Sequence, residues 1–318
     1  MIRYDVVALG EPMIEFNQTR AADAASWRQG YGGDTSNMAI AAARLGARVA
    51  YVTRVGDDAF GRRLLSLWRD EGVAVDGVAS DAGAPTGVYF VTHDGRGHAF
   101  SYLRAGSAAS RLAPSNLPLD LIRAGRALHV SGISQAISTS ACDAVFAAIA
   151  TARAAGARVF YDPNLRPALW PRDRAGAIAR ATMALADWCL PSRDDAEWLF
   201  GTGEADAVVE ACRRAGARGI VYKRGGDGCV VDDGRERVSI AAHRVNSVDA
   251  TGAGDCFDGA FVARLAAGDD AFAAAGYANA AAALATTGFG AVEPLPRPAD
   301  VERLLRRDTP VPLATGSG

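Results

Sequence analysis

The chain has 318 residues, 49% of them hydrophobic and 22% charged, which suffices for one large α/β domain or two ordinary ones and excludes a small disulfide-stapled scaffold. Its formal net charge of −2 leaves no global basic field to draw a duplex nucleic acid or an anionic membrane as main partner. Among 34 basic residues the single lysine, Lys223, lies between Tyr222 and Arg224, which excludes a Walker A loop and makes it the only residue that a Schiff-base mechanism could use.

From the N-terminus, Val6-Val7-Ala8-Leu9 reads as a short buried strand, and what precedes it lacks the apolar run and cleavage site of a signal peptide. Five cysteines, Cys142, Cys189, Cys212, Cys229 and Cys256, are scattered with no C-x-x-C pair, so a reducing cytoplasm is the expected location. Residues 39–46 then form a helix that stops at Gly46 and is followed at once by Val49-Ala50-Tyr51-Val52. The same grammar returns at 152–161 and at 212–222. Its repetition predicts a doubly wound, mostly parallel α/β sheet with helices on both faces and ligands beyond the carboxyl ends of the strands. Residues 13–33 and 87–102 break this grammar. The second stretch alternates through Val88, Phe90 and His93, turns at Asp94-Gly95-Arg96-Gly97 and returns through Ala99-Phe100-Ser101-Tyr102, so the two stretches predict a small β-sheet lid. An uncharged stretch at 271–292 is long enough to cross a bilayer, but its alanines and glycines, with Tyr277 and Asn279 inside, predict a closely packed internal helix. Residues 309–318 are expected to be a disordered tail, which leaves a single domain over 1–308.

Two constellations carry chemistry. In Asp249-Ala250-Thr251-Gly252-Ala253-Gly254-Asp255, glycines bracketing a small residue expose backbone N–H groups at a helix N-terminus, where a phosphate or a developing anion is favoured. The Gly252, Ala253 and Gly254 amides then form an anion hole, and Asp255 projects from the first turn as a base for a hydroxyl proton. A dinucleotide fingerprint does not fit, because the third glycine, Gly259, comes two residues too late. Further upstream, Tyr31-Gly32-Gly33-Asp34-Thr35-Ser36-Asn37 opens a helix, with Gly33 allowing close backbone approach and Asp34, Thr35, Ser36 and Asn37 offering polar groups to a polyol. Asp34 or Thr35 also suits a helix cap.

These strings, with Arg44-Leu45-Gly46 and Val55-Gly56-Asp57-Asp58-x-x-Gly61, resemble the PfkB (ribokinase-like) carbohydrate kinases along nearly the whole chain. Within that family, Gly10-Glu11-Pro12, Phe100-Ser101-Tyr102-Leu103-Arg104, Val130-Ser131-Gly132 and Tyr161-Asp162-Pro163-Asn164-Leu165-Arg166 are most similar to the kinases of 2-keto-3-deoxygluconate. The resemblance implies a ribokinase-like fold and ATP-dependent phosphorylation of that sugar acid on its terminal hydroxyl. A fructokinase, a kinase of the epimeric galactonate-derived acid and a non-catalytic sensor on the same fold are the alternatives. A sugar acid needs an anion clamp, for which Arg104 on the lid and Arg166 after the Val159-Phe160-Tyr161 strand are the candidates, with Tyr89 and Tyr102 as walls.

By the same resemblance, Asn164, Ser192, Lys223, Gly225, Gly228, Gly252, Gly254 and Asn279 fall on the ATP side, Lys223 beside the phosphates and Asn279 beside the adenine. The family's Asn-x-x-Glu motif reads Ser192-Arg193-Asp194-Asp195 here, which makes Asp195 the candidate for Mg2+, with a shorter reach. A monovalent cation such as K+ is implied beside Asp249. An exposed lid with an apolar face suits a homodimer.

Overall fold

The computed structural model describes residues 2–18, 26–94 and 97–308 of the chain. The order begins β1 (Val6–Leu9), β2 (Met13–Gln18), β3 (Trp27–Gly32), α1 (Asp34–Arg44), β4 (Val49–Gly56), α2 (Ala59–Asp70) and β5 (Ala74–Asp81), followed by the hairpin β6 (Val88–Asp94) and β7 (Gly97–Leu103). It continues with α3 (Leu119–Arg123), β8 (Ala127–Ser131), α4 (Gly132–Ala136), α5 (Thr139–Ala154), β9 (Arg158–Asp162), α6 (Arg172–Met183), β10 (Trp188–Cys189) and α7 (Arg193–Phe200). It closes with α8 (Ala205–Arg214), β11 (Gly219–Lys223), β12 (Cys229–Asp232), β13 (Arg237–Ile240), α9 (Ala253–Ala267), α10 (Ala271–Ala285) and α11 (Pro298–Asp308).

The main sheet runs β13-β12-β11-β10-β9-β8-β1-β4-β5 and is parallel from β5 across to β11; β12 is antiparallel to both its neighbours, so it is the one reversed strand and β13 again runs with the rest. Successive residues of β1 enter opposite cores: Val6 and Ala8 pack with α1, α9 and α10, while Val7 and Leu9 pack with α5 and its neighbours. A strand apolar at every position is what a sheet covered on both faces requires. The expected helix stops are present at Gly46, Gly156 and Gly216, with φ of 98°, 79° and 97°, conformations open to glycine without strain.

The two stretches that break the pattern meet as one sheet of order β3-β2-β6-β7. Tyr89 stands opposite Tyr102 in the antiparallel β6–β7 pair. Phe16 stacks on Phe90 at 5.5 Å and meets Phe60 of α2 edge-on at 5.7 Å, so the lid rests on the main body through aromatic contacts.

The alanine-rich stretch forms α10, packed inside against α9. Among the described residues no helix is long and apolar enough to cross a membrane. The expected tail at 309–318 lies outside the described residues. On α9, a Cβ at Gly259 would lie 2.6 Å from the Met38 carbonyl of α1, so glycine there lets the two helices that carry the site approach closely.

Candidate active site

The carboxyl ends of β1, β8, β9 and β11 converge with the N-termini of α1 and α9. Gly252, at φ 76°, caps α9 through its backbone, and no side chain caps this helix among the described residues. The Ala253 amide donates to the Ala250 carbonyl at 3.2 Å. The expected hole of Gly252, Ala253 and Gly254 amides is therefore revised: Ala253 is engaged, Gly252 precedes the helix as its cap, and the Gly254 and Asp255 N–H groups stand at the helix mouth without intrahelical partners. Asp255 accepts from Asn37 Nδ2 at 2.8 Å. Burial and the Asp34 carboxylate push Asp255 up to about 7, against the donation from Asn37. The Asn37 Oδ1 is buried and unpartnered, an acceptor ready for a hydroxyl.

Helix periodicity sorts the α1 candidates. Asp34 and Asn37, three apart, share the face toward the site. Thr35 and Ser36 point into the core instead: Thr35 Oγ1 shares a hydrogen bond with Tyr51 at 2.9 Å, and Ser36 Oγ accepts from the Trp68 indole at 2.9 Å. Both are fully buried, which corrects their expected place beside the sugar. At Gly33, φ 100°, a Cβ would collide with the Glu11 carbonyl, so the backbone passes there only as glycine.

Asn164, at φ 36° the one described non-glycine residue with positive φ, turns its amide to Asp34 Oδ2 at 2.9 Å. That ties the loop after β9 to the start of α1. Lys223 is corrected too. Its ammonium is held by Asp162 at 3.0 Å and Asp258 at 2.9 Å, with all three side chains buried, so it is not presented to an open phosphate site. Burial pushes Asp258 up to about 6 and Asp162 upward against the pull of Lys223. His129 Nε2 lies 3.7 Å from Asp258, and burial depresses its ring to about 4, which keeps it neutral.

On the lid side, Arg104 is buried and paired with the fully buried Glu11, and it lies 5.4 Å from the Tyr102 ring centre. Its Nε has no partner. Tyr89 closes over Gly32 and donates to Glu15 at 2.5 Å, while Tyr102 remains exposed. Arg166 stands exposed on the loop after β9, its Nη1 donating to the Leu165 carbonyl at 2.9 Å.

The remaining candidates hold the fold around the site. Gly225 opens the short turn between β11 and β12. At Gly228 a Cβ would collide with the Ile240 carbonyl. Asn279 Nδ2 is 3.4 Å from Cys229 Sγ and from the Ile240 and Ala241 carbonyls, tying α10 to this hairpin. Ser192 and Asp195 form a capping box on α7, and the other Asp195 oxygen accepts the Leu165 amide at 2.7 Å. With both oxygens engaged, Asp195 does not fit an open magnesium ligand. Among the described residues no group of three or more His, Cys, Asp or Glu side chains is placed to hold a metal. Asp249 accepts from Thr251 N and Oγ1 at 2.9 and 2.7 Å and from Gly290 N at 2.9 Å, closing the loop before α9.

Sequence reasoning assigned no role to Glu11, Asp162, Asp258 or His129. Two signals were present: Asp162 ends a buried parallel strand, where site residues collect, and Asp258 lies one turn from Asp255 on α9.

A 2-dehydro-3-deoxygluconokinase from Thermoproteus tenax is 38% identical over 311 residues, 95% of this chain and 94% of that protein. Fructokinase-1 from Oryza sativa subsp. japonica is 36% identical over 314 residues, 94% of this chain and 97% of that one. The fructokinase of Vibrio cholerae O395, in its fructose, ADP and calcium ion bound form, superposes with a TM-score of 0.85 at 29% identity, over 95% of this chain and 99% of that one. The pfkB family carbohydrate kinase profile matches residues 3–298, and with it the chain belongs to that family.

Proposed function

We propose that the protein transfers the γ-phosphoryl group of ATP to the terminal hydroxyl of 2-keto-3-deoxygluconate, giving the 6-phosphate. Asp255 takes the hydroxyl proton as the sugar oxygen attacks the γ-phosphorus and the bond from that phosphorus to the ADP oxygen breaks. Asn37 orients the carboxylate, and the Gly254 and Asp255 amides face the charge on the transferring group. The lid excludes water from the donor. Magnesium neutralises phosphate charge; with Asp195 engaged, it is carried by the nucleotide rather than by a protein cage. A K+ ion beside the Asp249 loop completes the proposed cofactor set, and pairing of two chains through the exposed lid aromatics is the proposed assembly.

The observation that carries the acid substrate is Arg104, a buried guanidinium at the lid's end with an unpartnered Nε, since a carboxylate supplies the acceptor that it lacks. One observation favours fructose instead: Glu11 already neutralises Arg104. A coupled ADP-release assay on 2-keto-3-deoxygluconate, its galactonate epimer, fructose and ribose decides. We expect kcat/KM for a keto-deoxy acid to exceed that for fructose by about 100-fold, the scale set by a buried polar partner satisfied or left unpaired. Equal or better turnover of fructose overturns the acid reading, and no turnover of any of them with ATP overturns the kinase assignment in favour of a binding role.

A further inference from the structure

The one lysine of the chain is held in an unexpected way, and following side chains outward from Asp255 shows what it holds. Asn37 donates to Asp255 at 2.8 Å. One turn earlier on α1, Asp34 accepts from Asn164 Nδ2 at 2.9 Å. The Asn164 amide donates to Asp162 Oδ1 at 3.2 Å, and Asp162 Oδ2 accepts from Lys223 at 3.0 Å. Lys223 donates to Asp258 at 2.9 Å, and Asp258 is one turn on from Asp255 along α9. The path closes on itself through α1, the end of β9, the end of β11 and α9, so it exists only when all four are assembled.

We propose that Lys223 is a positioning residue for Asp255: held between Asp162 and Asp258, its ammonium closes this circuit, fixes the first turn of α9 against α1 and balances the carboxylates gathered there. The inference rests on Asp255 being the base in the reaction proposed above. Asp255 faces Asp34 from α1, Asp162 from β9, Lys223 from β11 and Tyr89 from the lid, with Asp258 on its own helix and His129 of β8 beyond that. Lys223 is the one cation of this set, because His129 is kept neutral by burial with both ring nitrogens unpartnered. The ammonium stands 3.7 Å from the place a Cβ on Gly254 would take, beside the first turn of α9. A lysine serving nucleotide phosphates would be turned into the cleft, whereas this one is 9% exposed with two carboxylates upon it.

The test uses the full chain with Lys223→Met, and Asp258→Asn as its electrostatic opposite. Lys223→Met lowers kcat about 100-fold, as when a reacting group is displaced by about 1 Å. The KM for ATP changes less than about 3-fold, since the ammonium is committed to Asp162 and Asp258. The acid limb of kcat/KM for the sugar moves to higher pH in Lys223→Met, which loses a cation, and to lower pH in Asp258→Asn, which loses an anion. Lys223→Arg keeps the charge and returns the limb to its original place. Opposite displacements support the proposal. Limbs that do not move or move together, or a raised KM for ATP with kcat unchanged, overturn it. Should Lys223→Met fail to give a cooperative melt, Lys223→Gln takes its place as the variant that loses the cation, with Asp258→Asn as its opposite and Lys223→Arg as the charge-keeping control. Asp255→Asn measured alongside separates the two readings: full activity there removes the base, while its inactivity with unmoved limbs in the other variants removes only the role of Lys223.

Discussion

The two sides of the cleft are built by opposite means. At the carboxyl edge of the main sheet, Asp34, Asn37, Asp162, Asn164, Lys223, Asp255 and Asp258 are joined by side-chain hydrogen bonds, by the Asn164 backbone N–H and by the turns of α1 and α9, on elements anchored in two apolar cores. The lid is one sheet layer thick. It exposes Trp27, Phe100, Tyr102 and Leu103, the last at 66%, and grips the body through Phe16 on Phe60, the buried Glu11–Arg104 pair and the tether at Thr86. The edge ties its groups to one another through the fold's own hydrogen bonds, as phosphoryl transfer by positioning and electrostatics demands. The lid is rooted in the main core through Ile14 and Val88, and its exposed side chains lie beyond that root, which suits a part that opens for substrate and decides which substrate is kept.

The sharpest way to break this comparison is at the edge. Asp255→Asn keeps the shape and the acceptor toward Asn37 but removes the base; kcat is expected to fall about 1,000-fold, within the range of general-base contributions, with little change in the melting temperature. A fall of less than about 10-fold would mean that proton removal is not the work of this residue. In the proposed reaction the same carboxylate sets the pH dependence. With Asp255 raised to about 7 in the free protein by burial and by Asp34, the competent ionised form is lost as pH falls through that value. We expect kcat/KM to drop about tenfold for each pH unit on the acid side and to level off above it.

On the lid, the expected effects are smaller and fall on substrate choice. Arg104→Met is expected to raise KM for a keto-deoxy acid about 30-fold, because the substrate carboxylate no longer meets a guanidinium, while KM for fructose changes about 3-fold or less. It also leaves Glu11 buried without its cation, so the melting temperature must be read beside the kinetics. Equal effects on acid and neutral sugar would assign Arg104 to holding the lid. Arg166→Met, exposed in this structure, serves as the comparison for a clamp completed on closure.

What could be read from the sequence follows the same division. The alternation of helices and strands, the glycine stops and the glycine-flanked Asp255 are local patterns, and the structure reproduces them because backbone conformation and burial period are set within a few residues. Thr35 and Ser36 were misplaced because a motif string carries no helical phase; only Asp34 and Asn37, three apart, share the site face. Lys223, Glu11 and Arg104 were beyond reach for a different reason. Their partners lie 35 to 93 residues away, and only the assembled sheet edge brings them together. Asp195 illustrates the third failure, a carboxylate whose chemistry suits a metal but whose oxygens are used as a helix cap and a loop tie.

The smallest expected effect sharpens the comparison at the joint between the two regions. Asp58 caps α2 by accepting from Gly61 N at 2.7 Å, and it also accepts from Thr86 N and Oγ1 at 2.8 and 2.9 Å, while Thr86 Oγ1 accepts from Gly56 N at 2.9 Å. Thr86 lies just before β6, so one carboxylate fastens the body to the strand that enters the lid. Asp58→Ala is expected to lower stability by about 1–2 kcal/mol, the scale of a lost N-cap. Against its burial, the Thr86 and Gly61 donors hold the Asp58 carboxyl below its ordinary value. A folded-state pKa lower than the unfolded one contributes stability that is present at neutral pH and lost as pH falls through the folded value. The gap in melting temperature between wild type and Asp58→Asn should therefore be widest near neutrality and close below about pH 4. If the tether governs lid closure and not only folding, Asp58→Asn also raises KM for the sugar while leaving kcat at saturation nearly unchanged, since the catalytic edge is untouched. A fall in kcat with KM unchanged would show that the edge depends on the lid's anchorage, and the two regions would have to be treated as one mechanical unit.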